Sequence, residues 1–363
     1  MSAAATPTAP ADAAGGPIPI PDLGWIRARI ATVPRVKLIV RPTPITEAPN
    51  LARAFAPSGG PRIFLKRDDL TSIGLGGNKL RNLEFRLAKS LEDDPDTVVV
   101  GLDLQSNSAR QTVAACNKLG LRTILVLEGA PPNAPQGNLL MDYLLGAEVH
   151  FAPDREAQRR ALDAIAAEVR ARGGRPHILN DNPMFDVASA IAYLETALEV
   201  IEQLAEEGLR PDCFYMSSSG KGQAGLVLAQ RVTGLPFRVH CVTATDEFHV
   251  PSRTAAIANE TAERLGLDLV VTEEEIVNFG DQVGPGYGRP SAAGTEAVRL
   301  FARTEGVILD PIYTGKAAAG MAAHLREGRF GPGEVVVFVH TGGVPANFTW
   351  ADLWTDGGDA PRG

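Results

Sequence analysis

Residues 65–84 read LKRDDLTSIGLGGNKLRNLE, and the rest of the chain is organised around this stretch. An apolar, strand-like run leads into an acidic turn and a glycine cluster, after which Lys79 falls in the first turn of a helix predicted over residues 79–91. An ammonium group there faces the positive end of the helix macrodipole. Lys79 is therefore predicted to act as a neutral or covalently bound amine, the alternative being a solvated lysine at a helix start.

Strands and helices alternate along the chain after this stretch. Residues 97–101 and 122–127 have the composition of buried strands, and residues 108–119 between them that of a helix. The same rhythm continues to a closing strand over residues 334–340. This alternation predicts an α/β protein with parallel sheets that are covered by helices and joined by right-handed crossovers.

Composition excludes several classes of protein. With 363 residues, 44% of them hydrophobic, the chain can bury the core of one large domain or of two closely packed ones. A net charge of −8 without a basic cluster argues against nucleic acid or an anionic membrane as a partner. Cys116, Cys213 and Cys241 lie in apolar surroundings and predict reduced thiols in a cytoplasmic protein. No run approaches the roughly 20 apolar residues that span a bilayer, and no metal site is predicted.

Both ends of the chain have the composition of tails. Residues 1–21 are rich in alanine, proline and glycine and lack the charged start and continuous apolar run of a signal peptide. We therefore expect a disordered N-terminal tail, and a similar frayed end over residues 356–363.

Four motifs identify a family. The Lys79 stretch is followed by Gln105-Ser106-Asn107, by DPIYTGK at residues 310–316 and by HTGG at residues 340–343. In this order, from about Arg41 to Phe348, the motifs resemble the D-cysteine desulfhydrase and 1-aminocyclopropane-1-carboxylate deaminase family. These are pyridoxal-phosphate (PLP) enzymes of the tryptophan synthase β-subunit fold type.

The resemblance implies a two-domain architecture, that of the fold-type II PLP enzymes. Each domain is expected to be an open, mostly parallel sheet flanked by helices. The large, PLP-binding domain would comprise residues 22–90 and 187–355, and the small domain residues 91–186, with the active site in the cleft between them. Because relatives dimerise, a homodimer is expected.

Lys79 is, by the resemblance, the lysine that binds PLP, and Asn78 is expected to hydrogen-bond the 3′ oxygen of the cofactor. The phosphate is expected at the small-residue loop between a predicted strand and a predicted helix, where backbone amides bind an anion without side-chain charge. A plain strand-to-helix turn is the structural alternative, and the sequence argues against a nucleotide P-loop, because Gly222 follows the lysine where that motif has serine or threonine. The predicted phosphate-binding residues are Ser218, Ser219, Gly220, Lys221 and Gly222.

The chain departs from the family pattern at Asn82, where relatives commonly carry a second lysine that helps to bind phosphate. The family loop usually has no lysine where Lys221 stands. We therefore predict that Lys221 supplies the missing cation and that Lys221→Ala weakens PLP retention sharply.

Ser106 follows a predicted strand at its C-terminal end, where ligands lie in open α/β sheets. The resemblance assigns it a part in proton transfer at the cofactor, and it assigns Gln105, Asn107 and nearby amides to the substrate. It also places Tyr287 and Tyr313 in the substrate pocket, and core packing is the structural alternative for both.

The pocket departs from the family at three further places: Asp103 where a small residue is usual, Ser108 where a bulkier one is usual, and NDNPMF at residues 180–185 in place of a glycine-rich segment. These departures predict a wider or differently polar pocket.

Thr314 and Thr341 bear on the choice of reaction. The deaminases have a glutamate at the first position, which interacts with the pyridine nitrogen, and a leucine at the second. A hydroxyl partner leaves the pyridine less protonated, so the ring is a weaker electron sink. That favours loss of a good β leaving group over the opening of a cyclopropane.

The sequence thus predicts a PLP-dependent lyase that converts D-cysteine to pyruvate, ammonia and sulfide. One alternative is a 1-aminocyclopropane-1-carboxylate deaminase. Another is a specialised elimination or β-replacement enzyme acting on an amino acid such as L-cysteate. A binding module without catalytic activity would differ from all of these, because it would show no absorbance from a lysine-bound cofactor.

Overall fold

The computed structural model describes residues 18–57, 59–245 and 250–355. Most of the predicted N-terminal tail, and the whole predicted tail from residue 356, lie outside the described residues. Within the described part of the chain, no helix is both long enough and apolar enough to cross a membrane.

The strands form two sheets. They are β1 (Ile45–Glu47), β2 (Arg62–Arg67), β3 (Thr97–Asp103), β4 (Arg122–Glu128), β5 (Glu148–Ala152), β6 (Pro176–Ile178), β7 (Cys213–Ser217), β8 (Arg238–Val242), β9 (Asn278–Phe279) and β10 (Val335–His340). The larger sheet has the order β1-β2-β10-β7-β8-β9 and is parallel except for β1, which pairs antiparallel with β2. The smaller sheet, β5-β4-β3-β6, is parallel throughout.

Helices cover both faces of each sheet. They are α1 (Gly24–Ala31), α2 (Pro49–Phe55), α3 (Lys79–Leu91), α4 (Asn107–Lys118), α5 (Gly137–Leu144), α6 (Arg155–Ala171), α7 (Val187–Glu206), α8 (Lys221–Thr233), α9 (Val250–Arg264), α10 (Ala292–Glu305), α11 (Thr314–Arg326) and α12 (Asp352–Thr355). Helices α1, α7, α8 and α9 share one core with the larger sheet, and α2, α10 and α11 share the core on its other face. This is the α/β architecture that the sequence predicted.

Helix α7 is buried on nearly all sides and holds the start of α8 in place. At Gly225 of α8 an added Cβ atom would lie 2.1 Å from the carbonyl oxygen of Ala190, so the two backbones touch. Only glycine permits this approach. The loop that precedes α8 is therefore fixed against a rigid element.

The predicted domain boundary at residue 90 divides α3 from the strands on which it packs. Leu80, Leu83 and Leu87 of this helix lie in one buried cluster with Val98 and Val100 of β3. The apolar face of α3 thus belongs to the core of the smaller sheet. Phe85 of the same helix lies in the core that α7 shares with the larger sheet, so α3 contacts both units and the boundary at residue 90 stays a prediction.

Candidate active site

A cavity of about 300 Å³ lies at the carboxyl ends of β3 and β7, where parallel sheets place their ligands. Its walls include residues from both sheets and from the loops that follow their strands. Eleven predicted site residues line it: Asn78, Lys79, Ser106, Asn107, Ser218, Ser219, Lys221, Gly222, Tyr287, Tyr313 and Thr341. The structure therefore brings together most of what the sequence analysis singled out.

Lys79 is the first residue of α3, as predicted, and its side chain is partly buried on the cavity wall. The loop before it is held in place because the Asn78 amide donates to the carbonyl oxygen of Thr341 (3.0 Å) and the Asn78 side chain donates to the Tyr193 hydroxyl (2.7 Å). Burial lowers the pKa of Lys79, and the positive charge of Arg86 lowers it further. The amine is thus easier to deprotonate than an exposed lysine, which a nucleophile or base requires.

The loop between β7 and α8 has the form of an anion cradle. Gly220 adopts φ +118°, and the Ser218 hydroxyl accepts hydrogen bonds from the amides of Gly220 (3.1 Å) and Gln223 (3.2 Å). The amides of Ser219, Lys221 and Gly222 have no partner among the described residues. Free amides at a helix N-terminus fit the phosphate of PLP.

Lys221 is not a free cation. Its ammonium lies 2.5 Å from an Asp186 carboxylate oxygen and 3.3 Å from the centroid of the Phe185 ring. Burial lowers its pKa to about 8, although Asp186 acts in the opposite direction. The prediction that Lys221 supplies the phosphate-binding cation stays a prediction, but part of that charge is already neutralised.

Ser106 caps helix α4 and also lines the cavity. Its hydroxyl oxygen accepts hydrogen bonds from the amides of Ser108 (3.1 Å) and Ala109 (3.3 Å). The hydroxyl hydrogen therefore remains available for donation to another acceptor. Asn107 accepts a hydrogen bond from Asn138 (2.9 Å).

Gln105 does not line the cavity. Its side chain accepts a hydrogen bond from the Asn138 amide (2.9 Å) and donates to the carbonyl oxygen of Gln136 (3.1 Å). Gln105 therefore orders the loop around Asn107 rather than lining the space that a substrate would occupy.

Tyr287 and Tyr313 form a hydrogen-bonded pair that reaches across the cleft. Their hydroxyl oxygens are 2.8 Å apart, and the Tyr287 hydroxyl donates to Asp103 of β3 (3.0 Å). Burial, and next the charge of Asp103, raise the pKa of Tyr287 to about 12, and burial raises the pKa of Tyr313 as well. Both hydroxyls are protonated at neutral pH.

Thr314 and Gly220 were predicted to bind the cofactor, but neither is among the residues that line the cavity. Thr314 is fully buried, and its hydroxyl donates to the carboxylate of Asp310 (2.6 Å). The amide of Thr314 also donates to that carboxylate (2.9 Å), so the threonine belongs to the turn that begins α11. That Thr314 contacts the cofactor stays a prediction, which its absence from the cavity wall does not favour, while Thr341 does line the cavity. Gly220 contributes the backbone conformation of the cradle.

Sequence reasoning assigned no role to several residues on the cavity wall, among them Arg86, Tyr193 and Asp310. Arg86 follows Asn82 by four residues and so lies on the same face of α3, which is a signal that the helix pattern contained. Asp310 begins the DPIYTGK motif, so the sequence marked its position without giving it a role, whereas Tyr193 reaches the site through tertiary packing and no local pattern points to it.

Known proteins resemble this chain in sequence and in structure. The family described as "Pyridoxal-phosphate dependent enzyme" matches residues 36–342. D-cysteine desulfhydrases of Salmonella paratyphi C and of Klebsiella pneumoniae subsp. pneumoniae are 36% and 35% identical to it, each over 87% of this chain and 96% of the relative. A crystal structure described as an ACC deaminase homologue superposes with a TM-score of 0.80 at 30% identity, over 92% of this chain and 99% of that one.

A pyridoxal 5′-phosphate-dependent aspartate racemase shares the fold at 18% identity, with a TM-score of 0.62. The lysine on the cavity wall and the free amides of the cradle agree with the PLP-dependent chemistry of the matched family. The chain belongs to the pyridoxal-phosphate dependent enzyme family, in the group of the D-cysteine desulfhydrases and 1-aminocyclopropane-1-carboxylate deaminases.

Proposed function

We propose that this protein is a PLP-dependent lyase that catalyses α,β-elimination from D-cysteine, giving pyruvate, ammonia and hydrogen sulfide with the uptake of one water. The observation that carries the proposal is the joint placement of Lys79 and the anion cradle on one cavity. The identity of 36% to a D-cysteine desulfhydrase supports the choice of substrate.

The residues divide between cofactor and substrate. Lys79 would hold PLP through its amine, Asn78 would bind its 3′ oxygen and residues 218–222 its phosphate, and Thr341 would contribute to cofactor binding from the same cavity wall. Ser106, Asn107, Tyr287 and Tyr313 are left for the amino acid. When bound, PLP withdraws electrons from the α-carbon of the substrate.

Lys79 is the proposed base for the α-proton. Its lowered pKa leaves a larger neutral fraction than an ordinary lysine has, and a neutral amine is the form that accepts a proton. The Ser106 hydroxyl, whose oxygen is fixed by two amides, is positioned to hold or pass that proton.

Tyr287 and Tyr313 are proposed to serve the leaving group. Both hydroxyls are protonated at neutral pH, and because the single hydrogen of Tyr287 is donated to Asp103, Tyr313 is the one that can turn its hydrogen from Tyr287 to the departing sulfur. The bond from Tyr287 to Asp103 fixes the orientation of the pair.

The first expected outcome concerns substrate choice. Purified, PLP-loaded protein is expected to release pyruvate, ammonia and sulfide from D-cysteine faster than it acts on L-cysteine, L-cysteate, β-chloro-D-alanine or 1-aminocyclopropane-1-carboxylate. Keto acid and sulfide assays measure this. Formation of 2-oxobutyrate from the cyclopropane at a higher rate would favour the deaminase and overturn the proposal.

Asp103 argues against L-cysteate as the preferred substrate. Its carboxylate lies on the cavity wall and would repel the sulfonate of L-cysteate, although exposure to solvent and the Arg155 guanidinium 3.4 Å away limit the repulsion to about 1–2 kcal/mol. We expect Asp103→Asn to raise kcat/KM for L-cysteate, relative to D-cysteine, by about 10-fold or more. Steady-state kinetics with both substrates measure the ratio.

Glu128→Gln is the matched control for Asp103→Asn. Both carboxylates lie 3.4 Å from the Arg155 guanidinium, but Glu128 is not on the cavity wall. The control should leave the ratio of the two substrates unchanged. A ratio that shifts equally in both variants would mean that Arg155, and not the charge at position 103, sets the preference.

We also propose that the protein is cytoplasmic and forms a homodimer. Its three cysteines are buried free thiols, which suits a reducing compartment. Light scattering at micromolar concentration measures the mass, and a monomer would contradict the proposed assembly.

A further inference from the structure

Arg86 is a buried cation on the wall of the cavity. It lies on α3, one turn after Asn82, and both residues face the cavity. The Arg86 residue is 4% exposed. A guanidinium buried to this degree normally has a carboxylate beside it.

Among the described residues no carboxylate contacts it directly, and the charge of Asp186 acts on Arg86 only from beyond ion-pair distance. The Nη2 group of Arg86 donates to the carbonyl oxygen of Leu179 (3.1 Å), while Nε has no hydrogen-bond partner. No Asp or Glu oxygen of the described chain lies within 4.0 Å of the guanidinium. By contrast Arg81, on the same helix, binds both Asp68 and Glu199.

A ligand anion would supply the contact ion pair that the protein does not give Arg86, and a buried charge without such a pair is unfavourable. Burial lowers the pKa of Arg86 to about 10, which leaves the group charged at neutral pH. The cavity is therefore built to receive an anion at this end.

Phe185 indicates which anion this is. Its ring centroid lies 4.4 Å from the guanidinium carbon of Arg86 and 3.3 Å from the ammonium nitrogen of Lys221, which is the first residue of α8. Arg86 thus lies beside the cradle that precedes α8. Asp186 pairs directly with Lys221 (2.5 Å) but acts on Arg86 only from beyond ion-pair distance.

We propose that Arg86 is the cation that binds the phosphate of PLP, in place of a lysine at position 82. The inference rests on the proposed use of residues 218–222 as the phosphate cradle. It changes the earlier prediction for Lys221, which becomes the weaker contributor.

The affinity of the Arg86→Leu variant for the cofactor tests whether Arg86 binds the phosphate. Cofactor-depleted full-length protein is titrated with PLP and, separately, with pyridoxal, which lacks the phosphate, and the visible absorbance of the bound cofactor is followed. We expect PLP to bind about 10- to 100-fold more weakly than to the wild type, with pyridoxal affinity unchanged. Lys221→Ala should show a smaller loss of PLP affinity.

A relocated charge provides the matched control. The double variant Arg86→Leu with Asn82→Lys moves the cation one helical turn along the same face, and it should recover most of the PLP affinity. An equal loss of PLP and pyridoxal affinity, or no rescue, would mean that Arg86 maintains the shape of the pocket and would overturn the proposal. Unchanged PLP affinity with a raised KM would assign Arg86 to the substrate carboxylate instead and would also overturn it.

These measurements need no turnover, so they remain separate from the proposed reaction. A wild-type protein that binds PLP tightly but releases no pyruvate from D-cysteine would contradict the proposed function and leave the comparison of PLP with pyridoxal intact. Conversely, active Arg86→Leu protein with full PLP affinity would contradict only the role of Arg86.

Discussion

Lys79→Ala is expected to reduce pyruvate formation from D-cysteine by at least about 10³-fold, because it removes both the covalent attachment of PLP and the proposed base. The lysine lies on the cavity wall, and its lowered pKa suits both roles. Two measurements check this: kcat/KM for D-cysteine, and the protein mass after borohydride reduction, which should increase by the cofactor in the wild type alone.

Lys89→Ala is the control for this variant. Lys89 lies on the same helix, but it is exposed and pairs with Glu92 at the surface. It should keep full activity and covalent cofactor. If Lys79→Ala protein still carried covalent cofactor after reduction, a second lysine such as Lys221 would be the attachment site, and the proposed role of Lys79 would be wrong.

The parts of this site that depend on local sequence could be predicted. The helix that starts at Lys79 and the loop that starts α8 each follow from a strand, a glycine-containing turn and an apolar helical pattern. Parallel strands bring their carboxyl ends to one edge of a sheet, which is why these loops meet in a single cavity.

The parts that depend on tertiary partners could not be predicted. Thr314 lies one residue from Tyr313, yet its hydroxyl binds Asp310 inside the turn and never reaches the cavity. Strand β9 has only two residues and forms because β8 offers it a free edge, so no sequence pattern marks it. The packing of α3 on the smaller sheet likewise depends on residues distant in sequence.

Glu199→Gln is expected to lower the free energy of unfolding by about 3–5 kcal/mol, because it leaves buried cations without their counter-ion. Glu199 is 4% exposed, and its carboxylate binds Arg81 (2.8 Å) and Lys66 (2.7 Å), which are both fully buried. Arg81 also binds Asp68, whose carbonyl oxygen accepts from the Gly77 amide in the loop before Lys79. Denaturant unfolding of wild type and variant measures the loss.

The same carboxylate gives the stability a defined pH dependence. Burial tends to raise the pKa of Glu199, but hydrogen bonds and charge from Arg81 and Lys66 outweigh burial and lower the pKa from 4.5 to about 2. The unfolded chain therefore takes up a proton at this position before the folded protein does. The contribution of the Glu199 carboxylate to the free energy of unfolding is complete above about pH 4.5 and is lost as the pH falls towards 2. The Glu199→Gln variant should lack this part of the pH dependence.

Glu202→Gln is the control, because it removes an exposed ion pair on the same helix and leaves the buried cluster of Glu199, Arg81 and Lys66 intact. Glu202 lies three residues further along α7 and binds Arg27 at 2.6 Å, but both side chains are more than a third exposed. Exposed pairs contribute about 0–1 kcal/mol, so the control should unfold close to the wild type. If Glu199→Gln unfolded at the same denaturant concentration as Glu202→Gln, the buried cations would have found other partners. The cluster would then not be what holds the Lys79 loop against α7.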